Sequence, residues 1–323
     1  MSPRPVVSLG EPVLDLVWGG TSPRGNSTFE AYPGGGAANV LAQVALLGGE
    51  AAMIGEVGDD FLGRGLLDRM GALGIDTSLV RASAARPTGV GFVLLAEDGE
   101  RSFVFHRDAG ARSALFTDDD QAFLREAGWF HFTSVTLGSA QQRQATLSAV
   151  ACARAAGVPV SFDVNYRPSL WEEPRRAVST MLRCCETATV VKMSDDERDA
   201  LFPGDSNVSC AERLHRSGVA LVCISLGRAG SFFSVPGIHG DCPTVPVRSC
   251  DTTGCGDAFM GTLLHGIRAR GGLSWVTAAR RSELEELFAR ANIAGAVCST
   301  RFGSMTAVAS AAEIDELQKG LRR

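Results

Sequence analysis

Late in the chain, Asp251-Thr-Thr-Gly-Cys-Gly-Asp257 combines two glycines and a carboxylate with an apolar run at helical spacing, Phe259, Leu263, Leu264 and Ile267. The pattern predicts a tight turn feeding the first turn of a buried helix. Amides in such a turn have no partner inside the helix, and the helix dipole stands behind them. They suit an anion, and phosphate is the usual guest. Glycine permits close approach where a Cβ would obstruct it. Asp257, beside that cradle, can take a proton from an attacking hydroxyl. A cradle and a base side by side point to phosphoryl transfer to an alcohol. Taken alone, an Asp here could equally serve only to complement the helix dipole.

Other polar clusters sit where strands or glycine turns meet helices. Pro33-Gly34-Gly35-Gly36-Ala37-Ala38-Asn39 opens a helical stretch, and Asp15 stands among apolar neighbours in Val13-Leu-Asp-Leu-Val17. Asp163-Val-Asn165-Tyr-Arg167-Pro-Ser-Leu-Trp171 follows an apolar strand. Its polar groups therefore lie at a strand's carboxyl end, where open α/β sheets collect ligands. Lys192-Met-Ser194-Asp195-Asp196-Glu197 also leaves a strand, and Ser194 with Glu197 forms a capping box. Ser225-Leu226-Gly227-Arg-Ala-Gly230 ends a further strand in a glycine turn, and Asn292 lies in a helical stretch.

The elements that must hold these residues follow from periodicity. Strands are predicted at 6–9, 13–17 and 51–54, a loop at 19–28, and helices at 37–47 and 61–73. Two β-rich runs, 88–96 and 101–106, flank Glu97-Asp-Gly-Glu100 as a hairpin. From 128 onward, strands at 129–133, 158–163, 189–193 and 219–226 alternate with helices at 141–156, 174–185 and 209–217. That rhythm indicates a parallel sheet covered by helices. Strands at 231–235 and 244–247 follow, then helices at 255–269, 281–299 and 311–320.

The 323 residues suffice for one large α/β domain or two small ones. A net charge of −5 provides no field to attract nucleic acid or an anionic membrane, so neither is expected as a partner. The nine cysteines show no metal-ligand spacing and suit reduced thiols in a cytoplasmic protein. The N-terminus lacks the apolar core of a signal peptide, and no run reaches membrane-spanning length. His131, His215, His239 and His265 read as structural, with no Cys or Asp at ligand or triad spacing.

Asp251–Asp257 resembles the DT-x-GAGD signature of the ribokinase-like (PfkB) carbohydrate kinases, with Cys255 in the usual Ala place. The resemblance implies an α/β sandwich: a mostly parallel sheet, helices on both faces and a small β-sheet lid. It implies one kinase domain over residues 1–323, with lid segments around 12–32 and 86–107. Asp257 would be the catalytic base, and the amides of Gly254, Cys255 and Gly256 the anion hole, with Arg167 on phosphate oxygens. Gly34, Gly35, Gly36 and Asn39 match the family's sugar site, as does Asp15, and Asn165 joins them.

The 163–171 segment resembles that of fructokinases and 2-keto-3-deoxygluconate kinases. Phe103-Val-Phe-His106-Arg107 resembles a fructokinase hairpin strand that brings Arg107 to the substrate. Lys192, Ser225, Gly227, Gly230 and Asn292 would border ATP, and Glu197 would organise Mg²⁺ through water. Asp251 and Thr253 match positions that often support a monovalent cation such as K⁺. Exposed lid edges suit a homodimer.

The reading is therefore an ATP-dependent sugar kinase, with fructose ahead of 2-keto-3-deoxygluconate. A sugar-binding regulator without turnover would need no base. A nicotinamide-dependent oxidoreductase would need a strand–G-x-G-x-x-G–helix unit followed by an acidic strand end, which the chain lacks.

Overall fold

The computed structural model describes residues 4–95, 101–106, 116–171 and 173–321. The chain opens with β1 (Val6–Gly10), β2 (Val13–Thr21), β3 (Ser27–Gly34), α1 (Gly36–Leu46), β4 (Ala51–Gly58), α2 (Phe61–Ala72) and β5 (Ile75–Ser83). Then come β6 (Gly89–Leu95), β7 (Arg101–His106), α3 (Asp118–Arg125), β8 (Trp129–Thr133), α4 (Ala140–Ala155), β9 (Val160–Asp163), α5 (Pro174–Thr187) and β10 (Val190–Ser194). The remainder is α6 (Asp195–Leu201), α7 (Asn207–Arg216), β11 (Leu221–Ser225), β12 (Ser231–Val235), β13 (Ile238–Cys242), α8 (Cys255–Ala269), α9 (Leu273–Ala278), α10 (Arg281–Cys298) and α11 (Ala311–Leu321).

Among the described residues, nine strands form one sheet in the order β13-β12-β11-β10-β9-β8-β1-β4-β5. All its pairings from β11 to β5 are parallel, and β12 and β13 add an antiparallel edge. The central strands VVSLG, WFHFT and VSFD are buried along their whole length. Parallel strands covered on both faces need such runs rather than alternation.

One face packs on α3, α4, α5, α6 and α7 through Leu124, Ala149, Met181, Leu201 and Leu214. The other packs on α1, α2, α8 and α10 through Leu41, Leu66, Leu263 and Phe288. A second sheet, β3-β2-β6-β7, stands apart from the first. It is built from residues 13–21, 27–34, 89–95 and 101–106. Arg107 lies outside the described residues.

Two expectations need correcting. The 19–28 loop is shorter, because β2 runs to Thr21 and β3 begins at Ser27, with a register shift between Trp18 and Gly20. The first five residues of β3 are exposed, so no apolar alternation marks them. The 244–247 strand is absent. β12 instead turns at Gly237, whose φ is +85°, and pairs at once with β13, Val235 opposite Ile238. Val245 packs into a small apolar cluster without joining a ladder. β5, α3 and α9 were not anticipated. The short α3 is set by a Thr117–Asp120 capping box rather than by a long apolar stripe.

Candidate active site

The sheet's chain order reverses at β1, which has β4 on one side and β8 on the other. Such a switch point leaves a crevice at the carboxyl ends of the strands. A cleft of about 580 Å³ lies there, lined from Gly10, Thr133, Asn165, Lys192 and Ser194 at those ends. Asp15, Gly35, Gly36, Asn39, Arg167, Glu197, Thr253, Gly254, Gly256 and Asp257 also line it.

Asp257 occupies the first turn of α8, the helix buried between α1 and α10. Its carboxylate does not cap its own helix. Oδ2 accepts a hydrogen bond from Asn39 Nδ2 at 2.8 Å, joining residues 218 apart in sequence. Burial pushes the Asp257 carboxyl above the ordinary range, against the opposing pull of Asn39, Lys192 and Arg167. A base with a raised pKa holds a proton better once it has taken one. Asn39 Oδ1 is buried with no hydrogen-bond partner among the described residues, leaving an acceptor beside that base.

The glycines are spacing devices. Gly254 caps α8 in the left-handed region, at φ +78°. A Cβ there would lie 2.7 Å from Ser304 Cβ. Among the described residues, the Gly256 and Asp257 amides have no hydrogen-bond partner, while the Cys255 amide reaches Thr252 O at 3.4 Å. A Cβ on Gly36 would lie 2.6 Å from Asn165 Nδ2 and 3.6 Å from Asp257 Oδ1. On Gly34 it would strike the Asp15 carboxylate, and on Gly35 the Glu11 carbonyl. Asn165 itself has φ +38°, a conformation Asn tolerates better than other side chains. Ser134 Oγ holds its carbonyl at 3.2 Å.

Charge beneath the cleft is paired. Lys192 Nζ bonds both oxygens of Asp163, at 3.1 and 3.0 Å, and the Asp163 side chain is fully buried. Burial pulls the Lys192 pKa down. Asp163, Glu197 and Asp257 outweigh that, so the ammonium is held charged. Its Nζ lies 2.7 Å from where a Cβ on Gly256 would be, directly behind the glycine turn. Glu197 accepts from the Tyr166 amide through Oε1 and from the Ser194 amide through Oε2, both at 2.7 Å. The capping box and the cleft position therefore hold together, and Ser194 caps α6 in its expected place.

Some expected residues fall elsewhere. Ser225, Gly227 and Gly230 end β11 outside the cleft lining, with Ser225 Oγ donating to Met193 O at 3.4 Å. Asn292 does not line the cleft. Its amide donates to Cys242 O at 2.8 Å and ties α10 to β13. Asp251 accepts from the Thr253 amide at 2.6 Å and the Gly303 amide at 3.1 Å, binding two loops together. Sequence reasoning assigned no role to Asp163 or Ser304. The first could have been suspected from the strand end shared with Asn165, whereas no pattern marks the second. His131 is fully buried on Ser161 Oγ and held down to about 3 by burial and Lys192, so it is neutral.

Among the described residues no group of three or more His, Cys, Asp or Glu could cage a metal. Glu197, in the cleft lining, offers the carboxylate oxygens that a hard cation takes. No described helix is long and apolar enough to cross a membrane.

Comparison with known proteins follows the same lines. Fructokinase-1 of Zea mays is 34% identical over 317 residues, covering 97% of each chain. A fructokinase from Xylella fastidiosa, solved with bound ATP, superposes with a TM-score of 0.88 at 28% identity, over 98% of this chain and 99% of its own. The fructokinase of Vibrio cholerae O395, in a fructose, ADP and calcium ion bound form, gives 0.85 at 29% identity, over 97% and 98%. The family model for pfkB family carbohydrate kinases matches residues 6–311, and the chain belongs to that family.

Proposed function

We propose that this carbohydrate kinase is an ATP-dependent fructokinase, with Asp257 as its base. The observation that carries the reading is the buried Asp257 carboxylate, held in the first turn of α8, oriented by Asn39 and set beside Gly36. The sugar lies against Asp15, Asn39, Asn165 and the glycine amides at 34–36, which supply hydroxyl partners. Asp257 takes the proton of the attacking hydroxyl. The Gly254–Gly256 turn, Arg167 and the ammonium of Lys192 offset the charge that develops on the transferred phosphoryl group. Glu197 would hold Mg²⁺ through water, and the ion when bound would further neutralise the phosphate oxygens. The Asp251 clamp between the 251–254 and 303 loops is the framework for a monovalent-cation site.

ATP enters beside Lys192 and the β11 turn at Ser225, Gly227 and Gly230. The small sheet acts as a lid that excludes water as a competing acceptor. Its cross-strand pair Trp18 and Phe29, 41% and 42% exposed, is the surface for a homodimer. The nine free thiols fit a reducing cytoplasmic setting.

Fructose is preferred over 2-keto-3-deoxygluconate because Asp15, 8% exposed and against Gly34, opposes a substrate carboxylate. Comparison of kcat/KM for fructose, 2-keto-3-deoxygluconate, ribose and adenosine at saturating MgATP should rank fructose first. A tenfold advantage for the keto-acid, about 1.4 kcal/mol of transition-state preference, would overturn the assignment.

Gly254→Ala tests the anion hole. The new Cβ meets Ser304 and the left-handed backbone becomes strained, so the turn must shift. Turnover should fall by about 10²–10³-fold, the usual scale for losing one aligned donor, while the fold is retained by circular dichroism. Wild-type turnover would place the phosphoryl group elsewhere.

A further inference from the structure

The units β8–α4–β9 and β9–α5–β10 lay α4 and α5 side by side, running parallel, on one face of the sheet. Between them lies a groove of about 660 Å³, within the range of small-molecule sites. Among the described residues it shares no lining residue with the cleft above. On α4 the lining recurs at Arg143, Leu147, Val150 and Arg154, and on α5 at Arg176, Ser179, Thr180 and Arg183. These spacings are one helical stripe facing another. The floor is apolar, with Leu147 left 37% exposed.

The charge of this groove is one-sided. Among the described residues, four arginines line it and no carboxylate does. Among the described residues, none of the four takes part in an ion pair; Arg143 alone makes a side-chain hydrogen bond, from Nη1 to Leu137 O at 2.9 Å. Arg143 and Arg176 stand close enough at the N-terminal ends of the two helices that Arg176, after burial, lowers the Arg143 pKa. Two like charges side by side favour an anion between them, and two helix N-termini add to that field. Arg154 and Arg183 form a second pole toward the other end. Arg154, in the last turn of α4, also complements that helix's dipole, but its dipole role needs no arginine on the neighbouring helix. Seven residues of helix separate Arg176 from Arg183, or about 10 Å at the helical rise.

We propose that the α4–α5 groove binds an organic phosphate with two anionic groups, one at Arg143 and Arg176 and the other at Arg154 and Arg183. Its apolar or ring body rests on Leu147, Val150 and Ala151. Guanidinium forks match phosphate oxygens in pairs, which favours phosphate at each pole.

The test is calorimetric titration of the full chain with fructose and a non-hydrolysable ATP analogue saturating, so that the cleft is filled. Hexane-1,6-diyl bisphosphate, a probe with two phosphates on an apolar body, should bind saturably, one per chain. It should bind at least tenfold more tightly than inorganic phosphate. Arg176→Glu and Arg183→Glu should each weaken it tenfold or more, leaving kcat for fructose unchanged in its absence. Arg176→Gln and Arg183→Gln provide the same comparison should a charge reversal unfold the chain. Absence of saturable binding, equal affinity for both probes, or wild-type affinity in the glutamine variants would overturn the proposal.

Discussion

Asp257→Asn should leave the fold and sugar binding intact yet lower kcat for fructose by about 10²–10⁴-fold, the scale of a lost positioned base. The amide is isosteric with the carboxyl group and can still present an oxygen to Asn39 Nδ2, so geometry survives while basicity does not. The pH profile gives an independent readout. Burial raises the Asp257 pKa, and the base works only when ionised. The acid limb of kcat/KM should therefore lie above the ~4 of an exposed carboxylate. Asn39→Leu removes the first of the contacts that lower this pKa, so it should move the limb to higher pH as well as weakening sugar binding.

The linkage sign follows from the same shift. A folded-state pKa above the unfolded value favours folding at low pH, and that contribution is lost as pH rises through the folded pKa. Ionised Asp257 is thus a cost to stability, so Asp257→Asn should be no less stable than the wild type near neutral pH. Turnover within a few-fold of wild type in Asp257→Asn would put the base on another residue.

Lys192→Met should destabilise the protein by about 3–5 kcal/mol, since it strands a buried carboxylate without its cation. Asp163 is fully buried and both its oxygens are held by Lys192 Nζ. Burial already pushes the Asp163 pKa upward, and without Lys192 the group will take a proton. The deficit should therefore shrink as pH falls and the neutral acid forms, which denaturant unfolding at pH 5 and pH 8 can measure. Adding Asp163→Asn should recover stability but not turnover, because the ammonium behind the Gly256 turn is still missing. A loss below about 1 kcal/mol in the single variant would show that water reaches Asp163 in place of lysine.

Local chemistry was legible in the chain. The Gly254–Asp257 turn, the glycines at 34–36 and the 163–171 segment are short, and their backbone demands are written in glycine, asparagine and proline. The parallel strands were legible for a related reason: a strand buried on both faces must be apolar throughout, as in Val6–Gly10 and Trp129–Thr133. Strands exposed on one or both faces, such as Ser27–Gly34, carry no such mark.

Only the tertiary structure decided which groups meet. Asn39 and Asp257 are 218 residues apart, and Ser304 packs against both Gly34 and Gly254. Lys192 and Asp163 pair because adjacent parallel strands place them opposite one another in register. Asn292 looked available for a ligand, yet the end of β13 comes within reach of its amide and uses it. Nor does spacing within α4 or α5 reveal that their arginines face each other. Periodicity reports which face of an element is buried. Long-range partners depend on how whole elements dock, and no local pattern records that.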